Sequence, residues 1–131
     1  MYNMKDVCDK THLNYETLRY YCNLGLVPNV KRDKNNYRLF DDRDVAWING
    51  LQCLRKCGFS IKELQDYMEL AKEGESTINM RKDMLNIKLM ELLDKKNEID
   101  QSIDYIHDKN TYYNQVLSGE IQYSSNIMQT D

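Results

Sequence analysis

"NYETLRYYCNLGLVPNVKRDKNNYRLF", residues 14–40, sets an arginine and three tyrosines within seven residues, then runs into a basic, asparagine-rich turn. Core packing has no use for Arg19 between Leu18 and the adjacent Tyr20 and Tyr21; a surface that meets phosphates and base edges does. Tyr15 and Arg19 stand four apart and so share one helix face. Asn14 is placed to cap that helix, Glu16 suits its first turn, and Gly25 supplies the left-handed residue that stops it. Upstream, Met4, Val7 and Cys8 give a short apolar face, followed by the polar turn "THLN" at 11–14. Two short helices about a tight turn make a helix-turn-helix outline, a pattern many unrelated bundles share. Downstream, "DKNN" at 33–36 lies between "VKR" and "YRLF", which predicts a small β-hairpin, or wing, with basic residues on both arms.

Further helices follow. Asp41 or Asp42 caps a third, in which Val45, Ile48, Leu51 and Leu54 keep helical spacing up to the break at Gly58. Ser60 and Glu63 form a capping box for a fourth, with Ile61, Leu64, Tyr67 and Met68 on one face. "KEGES" at 72–76 reads as a linker. From Ile78 the period becomes seven: Ile78, Leu85, Leu92, Ile99, Ile106 and Tyr113, accompanied by Lys82, Leu89, Lys96, Ile103, Asn110 and Leu117. A helix of about 40 residues spans roughly 60 Å and cannot bury such a seam inside a small head. Its economical partner is a second copy, and Lys96 and Asn110 in the seam would set the register. Residues 1–74 are therefore expected to form the head, 75–118 a coiled-coil dimerisation helix, and 119–131 a loose tail.

The 131 residues allow one domain, or a small domain with a long extension. With 30% charged and 41% hydrophobic residues, the chain suits a soluble helical protein. No apolar run approaches the roughly 18 residues that span a bilayer, and "MYNMKDVCDKTH" lacks the pattern of a signal peptide. A cytoplasmic protein without a membrane partner is expected. The net charge of −3 hides an asymmetry. Residues 1–40 hold seven Lys/Arg against four Asp/Glu, and residues 73–131 hold six against eleven, so the basic footprint is local to the head. Cys8, Cys22, Cys53 and Cys57 contain no CxxC pair and none lies beyond Cys57, which speaks for reduced thiols and against a zinc site. Neither a cofactor nor a catalytic centre is expected.

"TLRYY", "GLVP", "YRLF" and the "DVAWI" opening of the third helix, at their spacing, resemble the MerR family of bacterial transcription regulators over residues 4 to about 72. Cys22 stands where that family usually has Glu, and Phe40 where it usually has Tyr. From Trp47 through "KKNEIDQSID" the chain resembles a branch of small regulators of aldehyde, electrophile or nitrosative stress that carry one cysteine in the third helix. Cys53 occupies that position. Metal-sensing members place cysteines at the start and just after the end of the dimerisation helix, where this chain has none. The resemblance implies a mainly α protein: a winged helix-turn-helix head and a long C-terminal helix pairing as an antiparallel coiled coil. It further implies a homodimer on a pseudo-palindromic promoter, distorting double-stranded DNA so that RNA polymerase engages indirectly through it.

The expected DNA contacts are Asn14, Tyr15, Arg19 and Tyr20, then Lys31, Arg32, Tyr37 and Arg38 from the wing, and Ser60 and Lys62 at the start of the fourth helix. Arg19 has a plainer use, an exposed pair with Glu16 or Asn23. Ile78, Leu85, Leu89, Leu92, Ile99, Ile103, Ile106 and Tyr113 are the expected dimer contacts. Cys53 is the expected effector-sensing thiol, with Arg55 and Lys56 near enough to favour its thiolate; Cys8 and Cys22 suit small buried hydrophobes. The alternatives are the same regulator triggered by a non-covalent ligand, an architectural DNA binder without effector, and an oligomeric thiol enzyme. The last lacks a histidine placed to activate Cys53.

Overall fold

Caps decide where the helices of the computed structural model begin. It describes residues 1–127; positions 128–131 of the expected tail lie outside the described residues. The elements are α1 (Met4–Thr11), α2 (Tyr15–Asn23), β1 (Lys31–Arg32), β2 (Arg38–Leu39), α3 (Asp42–Lys56), α4 (Ile61–Glu73), a 3-10 turn (Glu75–Thr77) and α5 (Ile78–Leu117). Asn14 Oδ1 accepts the Thr17 N–H at 2.7 Å and opens α2. Of the two candidate caps for α3, Asp41 is the one used: it accepts the Asp44 N–H at 2.9 Å, and Asp44 answers from the Asp41 N–H at 3.0 Å. Asp42 instead takes the Tyr2 hydroxyl at 2.7 Å. Gly25, at φ 76°, stops α2 with the paired bonds of a left-handed cap, Leu26 N–H to the Tyr21 carbonyl and Gly25 N–H to that of Cys22.

The wing is antiparallel, with Lys31 opposite Leu39 and Arg32 opposite Arg38. Tyr2 and Phe40 exchange both backbone bonds, 2.7 and 2.8 Å, and so lash the N-terminus beside the hairpin. Phe40, fully buried, joins Val7, Leu18, Leu26, Ile48, Leu51, Phe59 and Leu64 in one core. Two side chains fasten α3 to the backbone around it: Trp47 Nε1 donates to the Leu26 carbonyl (2.7 Å) and Gln52 Nε2 to that of Thr11 (2.9 Å). Because Phe40 fills a closed core under the wing, Phe40→Ala is expected to cost about 3–5 kcal/mol. Urea unfolding should show the midpoint fall with an unchanged slope.

The first compact unit runs Met1–Met90. It includes the turn after α4. Thr77 Oγ1 donates to the Leu70 carbonyl at 2.6 Å and accepts from Arg81 Nε at 3.1 Å, while Arg81 Nη2 donates to the Gly74 carbonyl at 2.9 Å. A stretch that looked like linker by composition is pinned by its own polar side chains. The second unit begins at Glu91 and holds the remainder of α5. In it Tyr112 Oη donates to the Ser124 carbonyl (2.7 Å) and accepts the Ser124 N–H (2.8 Å), so the segment behind Leu117 folds back along its helix.

Candidate nucleic-acid interface

Helix α2 divides its side chains by period. Leu18 and Tyr21 are buried, whereas Tyr15 and Tyr20 are 51% and 47% exposed, far more than a core aromatic would be. Arg19, on the Tyr15 face, is held only by Glu16 at 3.8 Å, with both side chains more than half exposed. Such a pair contributes little and yields readily to a phosphate or base edge. Asn23 does not serve Arg19; its Oδ1 accepts from Arg38 Nη2 at 2.7 Å.

That bond ties the end of α2 to the wing. The wing tip is equally organised: Asn36 N–H meets the Asp33 carbonyl (2.9 Å), Asn36 adopts φ 65°, and Asp33 Oδ1 accepts the N–H groups of Asn35 and Tyr37. Arg32 Nη1 donates to the Asn36 carbonyl at 2.8 Å. Tyr15, Arg32, Tyr37 and Arg38 line one cleft of about 380 Å³, together with Lys5 of α1 and Asp33. Four of the expected contacts thus converge in a positively charged notch between α2 and the wing. Lys31, next along β1, does not line it. Its charge reaches the start of α3 instead. There the Asp44 N–H, chiefly, and Lys31 more weakly hold the Asp41 carboxyl below its usual range, while burial pushes the Asp44 carboxyl up.

Asn14 spends its side chain on the cap, and Ser60 does likewise, Oγ accepting the Glu63 N–H at 3.1 Å. Lys62 pairs with Asp66 at 2.8 Å in the open. Neither Ser60 nor Lys62 lines the cleft. One cleft residue escaped the sequence reading: Lys5 stood in the basic count of residues 1–40 and nothing more. Asn23, read as a possible partner of Arg19, could be assigned to Arg38 only once the wing's path was known.

The cysteines separate by environment. Cys53 is exposed, whereas Cys8, Cys22 and Cys57 are partly covered. Burial pushes the Cys22 thiol up, against the pull of Arg38 and Arg32, and Cys8 is pushed up by burial as well. Arg55, expected beside Cys53 as a helper, donates Nη1 to the Phe59 carbonyl at 2.7 Å. No group of three or more His, Cys, Asp or Glu among the described residues is placed to hold a metal ion. No helix among them is long and apolar enough to cross a membrane.

Comparison with known proteins places this geometry. The sequence profile of MerR HTH family regulatory proteins matches residues 2–71. The chain is 40% identical over 83 residues to the HTH-type transcriptional regulator AdhR of Bacillus subtilis, covering 63% of this chain and 59% of AdhR. It is 30% identical to an uncharacterised HTH-type transcriptional regulator of Haemophilus influenzae, covering 86% and 83% of the two. Its fold matches HiNmlR, a MerR family regulator lacking the sensor domain and solved bound to promoter DNA, with a TM-score of 0.74, 29% identity and 89% of each chain covered. These relatives are regulators, not enzymes. The helix-turn-helix with its basic wing, and the profile spanning all of it, identify the chain as a member of the MerR family of DNA-binding transcription regulators.

Proposed function

We propose that this regulator acts as a homodimer on a pseudo-palindromic promoter, distorts the DNA between its half-sites, and switches when an electrophile or a nitrosating agent modifies Cys53. The DNA-reading surface is Tyr15, Arg19 and Tyr20 on α2 with Lys31, Arg32, Tyr37 and Arg38 on the wing; Ser60 and Lys62 meet the flanking backbone. The convergence of Tyr15, Arg32, Tyr37 and Arg38 on one cleft carries this assignment. HiNmlR, similar over nearly its whole length, binds promoter DNA, which supports the same use here. Dimerisation through an antiparallel coiled coil is supported by the seam of α5, whose Ile99, Ile103 and Ile106 are all exposed on this chain. Two heads so joined would set their α2 helices in successive major grooves, and RNA polymerase would respond to the altered spacer.

The sensing step is supported by the exposure of Cys53 on α3, the one exposed cysteine of the chain. A non-covalent ligand acting on the same dimer is the alternative trigger. Promoter transcription with wild type and Cys53→Ser, each with and without an aldehyde or a nitrosating agent, decides between them. The expected result is that both proteins bind the operator and only the wild type responds. An equal response from Cys53→Ser would remove the thiol from the mechanism and leave the ligand reading.

A further inference from the structure

Among the described residues of helix α5 only Lys88 is buried. Lys88 Nζ lies 2.9 Å from Glu63 Oε2, with the two side chains 11% and 37% exposed. Glu63 is also the capping-box residue of α4. Its Oε1 accepts the Ser60 N–H at 3.1 Å, and its own N–H is taken by Ser60 Oγ. The carboxyl is held below its usual range, first by the Lys88 ammonium and then by the Ser60 amide. Lys88 also stands 5.8 Å from the centroid of the Phe59 ring, and the Phe59 carbonyl is fixed to α3 by Arg55. The junction of Phe59 and Ser60 is therefore gripped by three helices at once.

A lysine is a costly way to fill such a position, since a well-packed apolar residue avoids the desolvation of its charge. What the ion pair adds is a tether: one oxygen of Glu63 meets the Lys88 ammonium while the other holds the Ser60 amide, so α5 is tied to the first turn of α4 through one carboxylate. Lys88 follows Leu85 by three residues and precedes Leu89 by one, so it flanks the apolar seam at a position where a shift in the coil moves its ammonium. We propose that the Lys88–Glu63 pair is the link through which the setting of α5 is read at the start of α4. Both are then positioning residues for operator distortion rather than for operator affinity. The inference rests on the DNA-binding reading, with Ser60 and Lys62 meeting the backbone.

The test uses the full chain and a duplex carrying the site that the wild-type protein selects, with a fluorescent base analogue in the spacer. Affinity is read by anisotropy, distortion by the analogue's emission, and output by promoter transcription. Lys88→Met keeps the apolar stem, and Lys88 is not among the residues assigned to the DNA-reading surface. It is expected to bind the duplex as the wild type does but to lose about 10-fold in transcription, within the usual range of coupling between sites, with a matching loss of emission change. Glu63→Gln, which keeps an oxygen for the Ser60 N–H while removing the charge that Lys88 meets, is expected to behave alike. A Lys88→Met protein that distorts as well as the wild type overturns the link, as does a parallel fall of affinity and distortion. Should Lys88→Met fail to fold, Glu63→Gln decides by the same two readings. A wild type that binds no duplex overturns the DNA reading itself, and the link with it.

Discussion

Arg19→Ala is expected to lower operator affinity by about 10- to 100-fold, the worth of one good bidentate base contact, without moving the unfolding midpoint. The stability half of that expectation follows from what the side chain does in the folded protein. Its one partner is Glu16 at 3.8 Å, both groups lie in solvent, and an exposed pair of that kind contributes about 0–1 kcal/mol. The affinity half follows from its address, on the open face of α2 with Tyr15, one step from the cleft that Arg32 and Arg38 line. Titration against single-base variants of the operator distinguishes a base contact from a phosphate contact. In the first case discrimination relaxes at one position. In the second, affinity weakens evenly across all the sequences, and the slope of affinity against salt falls by about one counterion, as expected of Arg32→Ala. Unchanged affinity would reduce Arg19 to its plain role beside Glu16.

How much of this could be seen in the chain itself depended on whether the signal was local. Caps and stops are local, so the starts of α2 and α4 at Asn14 and Ser60, and the stop at Gly25, follow from the residues standing there. Asp41 against Asp42 could not be decided by spacing, because the choice turned on Tyr2, forty residues away, taking the Asp42 carboxylate. The same limit applies to the candidate site. Residue types and order mark Tyr15, Arg32, Tyr37 and Arg38, whereas the cleft they share with Lys5 depends on the path of the wing past α1, which no spacing reveals. The turn at Gly74–Thr77 shows the same limit from another side. Gly, Glu and Ser read as a loop by composition, while the bonds that make it rigid come from Thr77 and Arg81 after it. Glu63 was legible as a cap and not as a partner of Lys88, since nothing in sequence joins residues 25 positions apart.

The largest effect is expected at the seam. Leu92→Asp is expected to convert a dimer to a monomer by analytical ultracentrifugation and to reduce affinity for the two-half-site operator by about 10²- to 10⁴-fold, the advantage that linking two binding modules confers. Leu92 lies beyond Met90, where the first compact unit ends, so the helix-turn-helix and its core are not touched by the change. Affinity for an isolated half-site should therefore stay at the wild-type level. The size of the effect comes from charge: paired α5 helices would desolvate a carboxylate at position 92, a cost that a flexible lysine such as Lys96, four residues on, offsets only in part. Leu92→Met keeps the volume and should keep the dimer. Lys96→Leu, four residues on, works in the other direction. It removes a polar residue from the seam, which raises the stability of the pair and relaxes its register, so the dimer should tighten while promoter output falls. A wild-type chain that is already monomeric would remove the pairing of α5, and with it the two-groove geometry, leaving a single head that grips DNA without spanning a spacer.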